Sequence, residues 1–119
     1  NTITAYDDAS IQINGQQHYQ HSLIVMPKGQ VTHWPVTQYE RLNEQDLMML
    51  MDYKPELILL GSGKQHRLPH PRLLSTLAKF RIGIEVMSTH AACRTYNILM
   101  AEGRQILAAL LIEQDEVEK

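Results

Sequence analysis

The chain has 119 residues, the usual size of one compact domain. Its 11 basic and 13 acidic side chains give a net charge of −2, which argues against nucleic-acid binding as its main activity. The longest apolar run, Ile106 to Ile112, is far shorter than the roughly 20 residues that span a bilayer, so we expect no transmembrane segment.

One cysteine, Cys93, excludes an internal disulfide framework and a zinc site built from several thiolates. The first residues of the sequence contain no basic segment followed by an apolar one, so we expect no signal peptide there. Together these features predict a reducing, cytoplasmic location.

The first third of the chain carries β patterns. Ile11 and Ile13 alternate with polar residues and lead into Asn14-Gly15, a strong signal for a hairpin turn. An apolar segment over residues 22–26 is followed by a turn cluster and by a predicted return strand over residues 31–34.

The middle of the chain changes from a strand period to a helix period. Apolar residues from Leu47 to Met51 recur at helical spacing, which predicts a short helix. Asn43 is its expected N-cap, with Asp46 three residues later as the acid of a capping box. Pro55 ends the element.

The second half of the chain alternates strands with helices. We predict strands over residues 57–60, 84–87 and 105–112, separated by helices over residues 71–80 and from about residue 89 to 101. This order is typical of α/β proteins. Local crossover rules alone would make the three strands parallel.

Three segments of this half carry a resemblance. They are Pro55 to Gly63; Gly83 to Thr89 followed by the specific Ala-Ala-Cys-Arg-Thr-Tyr-Asn string of Ala91 to Asn97; and Glu102-Gly103-Arg104 leading into Ala108 to Leu111. These segments resemble the motifs of a family of small α/β domains of unknown function, widespread in bacteria and archaea. The family includes the third assembly factor of mitochondrial complex I.

The resemblance implies a three-layer fold with a mixed central sheet and helices on its faces. We take this mixed arrangement in place of three parallel final strands. We therefore expect a single α/β domain over residues 1–112, with a hairpin-rich N-terminal part, and a solvated acidic tail over residues 113–119. His90 departs from the family pattern, where glycine is common.

The Gly61-Ser62-Gly63 loop directly follows a buried strand, where α/β sheets place ligand sites. Its backbone N–H groups can form an anion-binding nest with Lys64 and Arg67 as counter-charges, in a stretch from residue 57 to 84 that has no carboxylate. The spacing matches neither a Walker A loop nor a dinucleotide fingerprint. A plain glycine turn beside solvated basic side chains is therefore the preferred interpretation.

Cys93 allows two interpretations. The start of a helix and the neighbouring Arg94 can lower the pKa of a thiol from about 8.5 towards 7, and His90 lies three residues earlier as a base. Alternatively, Cys93 packs against the sheet beside two alanines as an inert small residue. We favour the second, which leaves Cys93 as a weak catalytic candidate.

Polar side chains around the last helix suggest a structural role. Glu85 lies in an otherwise apolar strand, so its carboxylate must be paired or lie at a sheet end. We hypothesise that Glu85 or Glu102 pairs with Arg94 or Arg104. Arg94 and Asn97 share a helical stripe with His90 and are further candidates for contacts with a ligand or partner.

The sequence leaves two functional classes open. No spacing of the six histidines indicates a metal site, and no motif indicates a cofactor. We favour a non-catalytic interaction or assembly module with protein partners, for which a homodimer is possible. The alternative is a small-anion or nucleotide-binding protein, or an enzyme, that uses the Gly61-Ser62-Gly63 loop and the Cys93-Arg94 helix start.

Overall fold

The computed structural model describes residues 1–114, in which eight β-strands and three α-helices follow one another. The strands are β1 (Ile3–Tyr6), β2 (Ile11–Ile13), β3 (Gln17–Tyr19), β4 (Leu23–Val25), β5 (Thr32–His33), β6 (Leu57–Gly61), β7 (Gly83–Met87) and β8 (Ile106–Leu110). The helices are α1 (Glu44–Met51), α2 (Pro71–Ala78) and α3 (Thr89–Ala101), and a 3-10 turn covers Tyr39–Arg41.

A small antiparallel sheet of three strands forms in the order β1-β2-β3. Asn14 and Gly15 join β2 to β3 with φ values of 56° and 71°, the left-handed conformation that a tight hairpin needs at both positions. The hairpin predicted at Asn14-Gly15 is confirmed.

The larger sheet has five strands in the order β5-β4-β8-β6-β7. Strand β4 runs antiparallel to β5 and β8, whereas β6 runs parallel to both β7 and β8. The predicted mixed sheet is confirmed. We expected that the last three strands would not all be parallel, and this expectation is wrong, because β6, β7 and β8 all run in the same direction. Helices α2 and α3 connect them as two crossovers, and the antiparallel strands of the sheet come from the N-terminal half.

The five-stranded sheet is the middle of three layers. Alternate residues of β8 face opposite sides, so Ile106, Ala108 and Leu110 pack towards α3 and the small sheet. Leu107 and Ala109 pack on the other side, in a cluster with buried residues of α1 and α2. Within residues 1–114 no helix is long and apolar enough to cross a membrane.

The helix caps follow the sequence signals. The Asn43 side chain accepts a 3.0 Å hydrogen bond from the Asp46 backbone N–H, and the Asp46 carboxylate accepts one of 3.0 Å from the Asn43 backbone N–H. Ser88 caps α3 through the backbone N–H of Ala91. The predicted capping box and the predicted start of α3 are confirmed.

The C-terminal segment remains attached to the body of the protein beyond the predicted domain end. The backbone N–H of Gln114 donates to the Thr37 carbonyl at 2.8 Å, and its side chain donates to the Gln20 carbonyl at 2.9 Å. Glu113 bonds to Arg67. Placing these two residues in a solvated tail is wrong, because both find specific partners; the rest of the predicted tail lies outside the described residues.

Asn97 joins α3 to the small sheet. Its carbonyl oxygen accepts a 3.0 Å hydrogen bond from the Ile3 N–H, and its amide nitrogen donates a 2.7 Å bond to the Ile3 carbonyl. Both ends of the carboxamide are therefore engaged within the protein. This internal role argues against Asn97 as a contact for a ligand.

Replacing Asn97 with alanine should detach β1 from α3 and lower the free energy of unfolding by about 1–3 kcal/mol. The loss arises because the Ile3 N–H and carbonyl lose their partners in a part-buried position. Urea unfolding measures the change. The Asn97→Asp variant retains the acceptor and loses the donor, so its free energy of unfolding should lie between those of the wild type and of Asn97→Ala. An unchanged unfolding midpoint for both variants would contradict this role.

Candidate functional site

The carboxyl ends of β6 and β8 meet the first turn of α3 at the Gly61-Ser62-Gly63 loop. Strands β6 and β8 are parallel neighbours, so their ends lie at the same edge of the sheet. Ligand sites in open α/β sheets form in this position. The candidate site predicted from the sequence lies at this edge of the sheet, and its chemistry depends on which groups there are available.

Backbone groups of the loop are already engaged. The Ser62 N–H donates to the Met87 carbonyl at 2.8 Å, and the Gly63 N–H donates to the Thr89 hydroxyl at 2.9 Å. The Thr89 hydroxyl in turn donates to the Leu111 carbonyl at 2.7 Å. These bonds favour the preferred interpretation, a plain glycine turn, over the anion nest, because the Ser62 and Gly63 N–H groups bind the protein itself.

The two glycines serve close packing. A Cβ atom on Gly61 would lie 3.0 Å from the Thr89 Cα atom, so β6 and α3 approach too closely for a side chain. Gly63 has φ +95°, and a Cβ atom there would lie 2.6 Å from a Glu113 carboxylate oxygen. Close packing against α3 explains Gly61, and the left-handed backbone beside the Glu113 side chain explains Gly63, both without a ligand.

Arg67 connects three separate segments of the protein. Its guanidinium donates to the Glu113 carboxylate at 2.5 Å, to the Ser62 carbonyl at 3.0 Å and to the Glu40 carboxylate at 3.1 Å. The same group lies 4.2 Å from the centre of the Tyr39 ring. Arg67 is therefore unavailable as a counter-charge for a bound anion. Lys64, the other predicted counter-charge, is exposed.

A small crevice remains beside the loop. Its cavity volume is about 10 Å³, about the space that one water molecule needs, and its lining includes Lys64, Asp7 and Asp8. The turn between β1 and β2 closes it: Asp8 lies 3.2 Å from the His90 ring nitrogen, and the His90 ring packs edge-on against Tyr6. The crevice is far too small for a nucleotide.

Cys93 is fully buried beside Ala92 and Tyr96. Burial raises the pKa of the Cys93 thiol from 9.0 to about 12, opposite to the shift that a nucleophile needs. His90 is exposed and lies against Asp8, and no contact joins it to Cys93 in the part of the chain described. Burial and the raised pKa favour the packing interpretation of Cys93 over the catalytic one.

Iodoacetamide should leave Cys93 of the folded protein unmodified at pH 8, because both burial and the raised pKa suppress the thiolate. In urea the same thiol should react completely. Folding stability should be unaffected by this group below pH 9 and decline above it, by up to about 1.4 kcal/mol per pH unit, because the unfolded thiol ionises first. Mass spectrometry of the native protein measures the alkylation, and fast modification of Cys93 at pH 8 would contradict the buried, protonated thiol.

The hypothesised ion pair forms with a different acid. Arg104 lies 3.2 Å from the Glu56 carboxylate, which also accepts a hydrogen bond from the Gln105 N–H at 3.0 Å. Within residues 1–114 no ion pair involves Glu85, Glu102 or Arg94. Glu85 is exposed on the edge strand β7, so water solvates it.

The sequence contained a usable signal for Glu56. Leu57 at the start of β6 pairs in parallel register with Ile106 at the start of β8. Residues that immediately precede two paired parallel strands are brought together, so the register places Glu56 beside Arg104 and Gln105. We missed this pair because we assumed a mixed arrangement of these strands.

Residues 3–111 match the model of a protein family described as "Protein of unknown function (DUF498/DUF598)". The chain belongs to this family. The resemblance inferred from the three segments of the second half is thereby confirmed. The match also covers the N-terminal strands, which lie outside the three segments that carried the resemblance.

Several relatives are named as assembly factors. The "NADH dehydrogenase [ubiquinone] 1 alpha subcomplex assembly factor 3" of Drosophila melanogaster is 28% identical over 113 residues, which are 92% of this chain and 57% of the relative. The same name is carried by the Xenopus tropicalis relative, 30% identical over 98% of this chain and 63% of its own length. The chain thus spans about three fifths of the length of these relatives.

The fold is also similar to solved structures. A crystal structure of a Bordetella parapertussis protein is 39% identical with a TM-score of 0.87 and covers 93% of this chain and 94% of its own. These values support the three-layer arrangement described above.

Proposed function

We propose that this protein is a non-catalytic interaction module that holds protein partners during the assembly of a complex. One observation carries the proposal: the position where this fold would bind a ligand is occupied by the protein's own groups. The Gly63 N–H, the Arg67 guanidinium and the Cys93 thiol are all engaged or buried. The similarity to assembly factors over 92% of the chain supports it.

The partner class follows from those relatives. We infer that the partner is a subunit of a multi-subunit complex, of the kind that the name NADH dehydrogenase assembly factor gives for the Drosophila protein. A single buried thiol fits a reducing, cytoplasmic location, which belongs to the same proposal.

The anion-binding or enzymatic alternative is not favoured. It depended on free N–H groups in the Gly61-Ser62-Gly63 loop and on an activated Cys93, and the hydrogen bonds and burial described above argue against both. Among its proposed residues Lys64 and Arg94 are exposed, and side chains of this type serve a protein contact equally well.

We place the contact on the basic face of the protein. No carboxylate occurs from residue 57 to 84, whereas Arg72, Lys79 and Arg81 are exposed there. Two large apolar side chains of the same segment are also exposed: Leu68 at 67% and Phe80 at 45%. Cations beside exposed apolar groups fit a partner surface with acidic and apolar residues.

Affinity capture of the tagged protein from its own cells tests the proposal. We expect a defined complex in near-stoichiometric amounts, lost when Arg72 and Lys79 are both changed to glutamate. Lys28→Glu, also exposed but outside the basic face, is the matched control and should retain the complex. If the wild-type protein holds no defined complex, the proposal fails.

A further inference from the structure

Strand β7 forms one edge of the five-stranded sheet. It is five residues long and, within residues 1–114, pairs with β6 alone. Other sheet edges are shorter or closed: β5 has only two residues, and Asn97 covers the Ile3 backbone groups of β1. An edge of this length presents a template on which another chain can pair.

Among the described residues, the backbone groups of β7 that have no strand partner belong to Ile84 and Val86. The Met87 carbonyl accepts a hydrogen bond from the Ser62 N–H, which directs the backbone groups of Met87 towards β6. Successive residues of a strand direct these groups to opposite sides. Gly83 and Glu85 therefore also bond towards β6, and the N–H and carbonyl groups of Ile84 and Val86 point outward.

We propose that β7 accepts an extended, acidic segment of a partner protein as a sixth strand of the sheet. The inference rests on the interaction function proposed above and names the surface and the chemistry of the partner. The backbone groups of Ile84 and Val86 supply the hydrogen bonds, which give such strand addition its affinity.

The side chains around β7 determine what the added segment carries. Ile84 and Val86 are half-buried against the apolar cluster that contains Leu77 of α2, so the segment places apolar residues next to them. Lys79 and Arg81 are exposed just before β7 begins. Acidic residues at that end of the segment complement these two cations.

Glu85 disfavours a second copy of this chain as the occupant. Antiparallel pairing of two β7 strands gains most hydrogen bonds when Ile84 of one copy faces Val86 of the other. That register sets Glu85 directly opposite its own copy, and like charges in opposed positions destabilise a strand pair. A heterologous segment with a neutral or basic residue opposite Glu85 avoids this repulsion.

Amide NMR of the labelled protein with synthetic peptides tests the inference. The first peptide alternates valine and threonine over about ten residues with two glutamates at each end, and the matched peptide has lysines in their place. We expect the acidic peptide to shift the Ile84 and Val86 amide signals and to bind at least about fivefold more tightly than the basic one at low salt.

Two changes remove the hydrogen bonds without changing the charges. An acidic peptide methylated on alternate backbone nitrogens should lose binding by at least about tenfold, and it leaves the protein itself unaltered. Val86→Pro removes an outward N–H and should have the same effect, whereas Val86→Thr, which retains the N–H, should bind normally. Equal binding of the methylated and unmethylated peptides would overturn strand addition, as would equal binding of the basic peptide.

Sedimentation and cellular capture separate the remaining outcomes. A stable dimer of the protein alone, paired through β7, would show a second copy as the occupant and overturn the inference. If wild type and a folded Val86→Pro variant capture the same complex equally, strand addition fails and the assembly function stands. If wild type captures nothing, the assembly function fails, and the peptide titration still decides whether β7 accepts a strand.

Discussion

Replacing Thr89 with valine is expected to lower the free energy of unfolding by about 2–4 kcal/mol, although the two side chains have almost the same shape. The Thr89 hydroxyl accepts from the Gly63 N–H and donates to the Leu111 carbonyl, and the residue is only 5% exposed. Valine would leave both backbone groups buried without a partner. Urea unfolding monitored by circular dichroism measures the loss.

Thr89→Ser provides the matched control. Serine retains the hydroxyl and removes one methyl group, so its expected cost is about 1 kcal/mol. A valine variant as stable as the serine variant would show that the hydroxyl does not connect the β6 loop, α3 and the end of β8. This outcome would also reopen the Gly63 N–H as a site for an external anion.

Changing Arg67 to glutamate should destabilise the fold by about 2–4 kcal/mol, somewhat less than the loss of a fully buried ion pair because the site is partly open to water. The guanidinium binds Glu113, Glu40 and the Ser62 carbonyl. The Arg67→Glu change removes these bonds and places a new carboxylate beside those of Glu113 and Glu40. The C-terminal segment should then separate from the loop, which limited proteolysis detects.

Salt and a neighbouring cation supply the controls for Arg67. Part of the loss should be recovered in high salt, since repulsion among partly exposed carboxylates is screened. Arg72→Glu makes the same charge change at an exposed side chain and should alter stability by about 0.5 kcal/mol or less. Equal stability of the two variants would refute the internal role of Arg67.

Local patterns predicted the elements of the fold well. The Asn14-Gly15 turn, the Asn43–Asp46 capping box and the apolar strand at Leu57 each depend on residues a few positions apart. Their physics acts within a turn or a strand, so the sequence alone contains it. The order of strands in the sheet needed more: the right-handed crossover rule was the better guide to β6, β7 and β8.

The chemistry of the site was less accessible because its partners lie far apart in the chain. Gly63 binds Thr89, and Arg67 binds Glu113, over separations of 26 and 46 residues. No local pattern records such pairs. The glycine loop and the basic residue therefore had the composition of an anion site, while the fold used both for packing.

The position of β8 has a consequence for how the protein is made. It is the last strand of the described chain, yet it lies between β4 and β6 at the centre of the larger sheet. During synthesis on the ribosome, the edges of β4 and β6 that pair with β8 stay unpaired until Ile106–Leu110 emerges. The larger sheet therefore cannot close until that strand is released, and up to that point the nascent chain exposes these strand edges to chaperones and to aggregation.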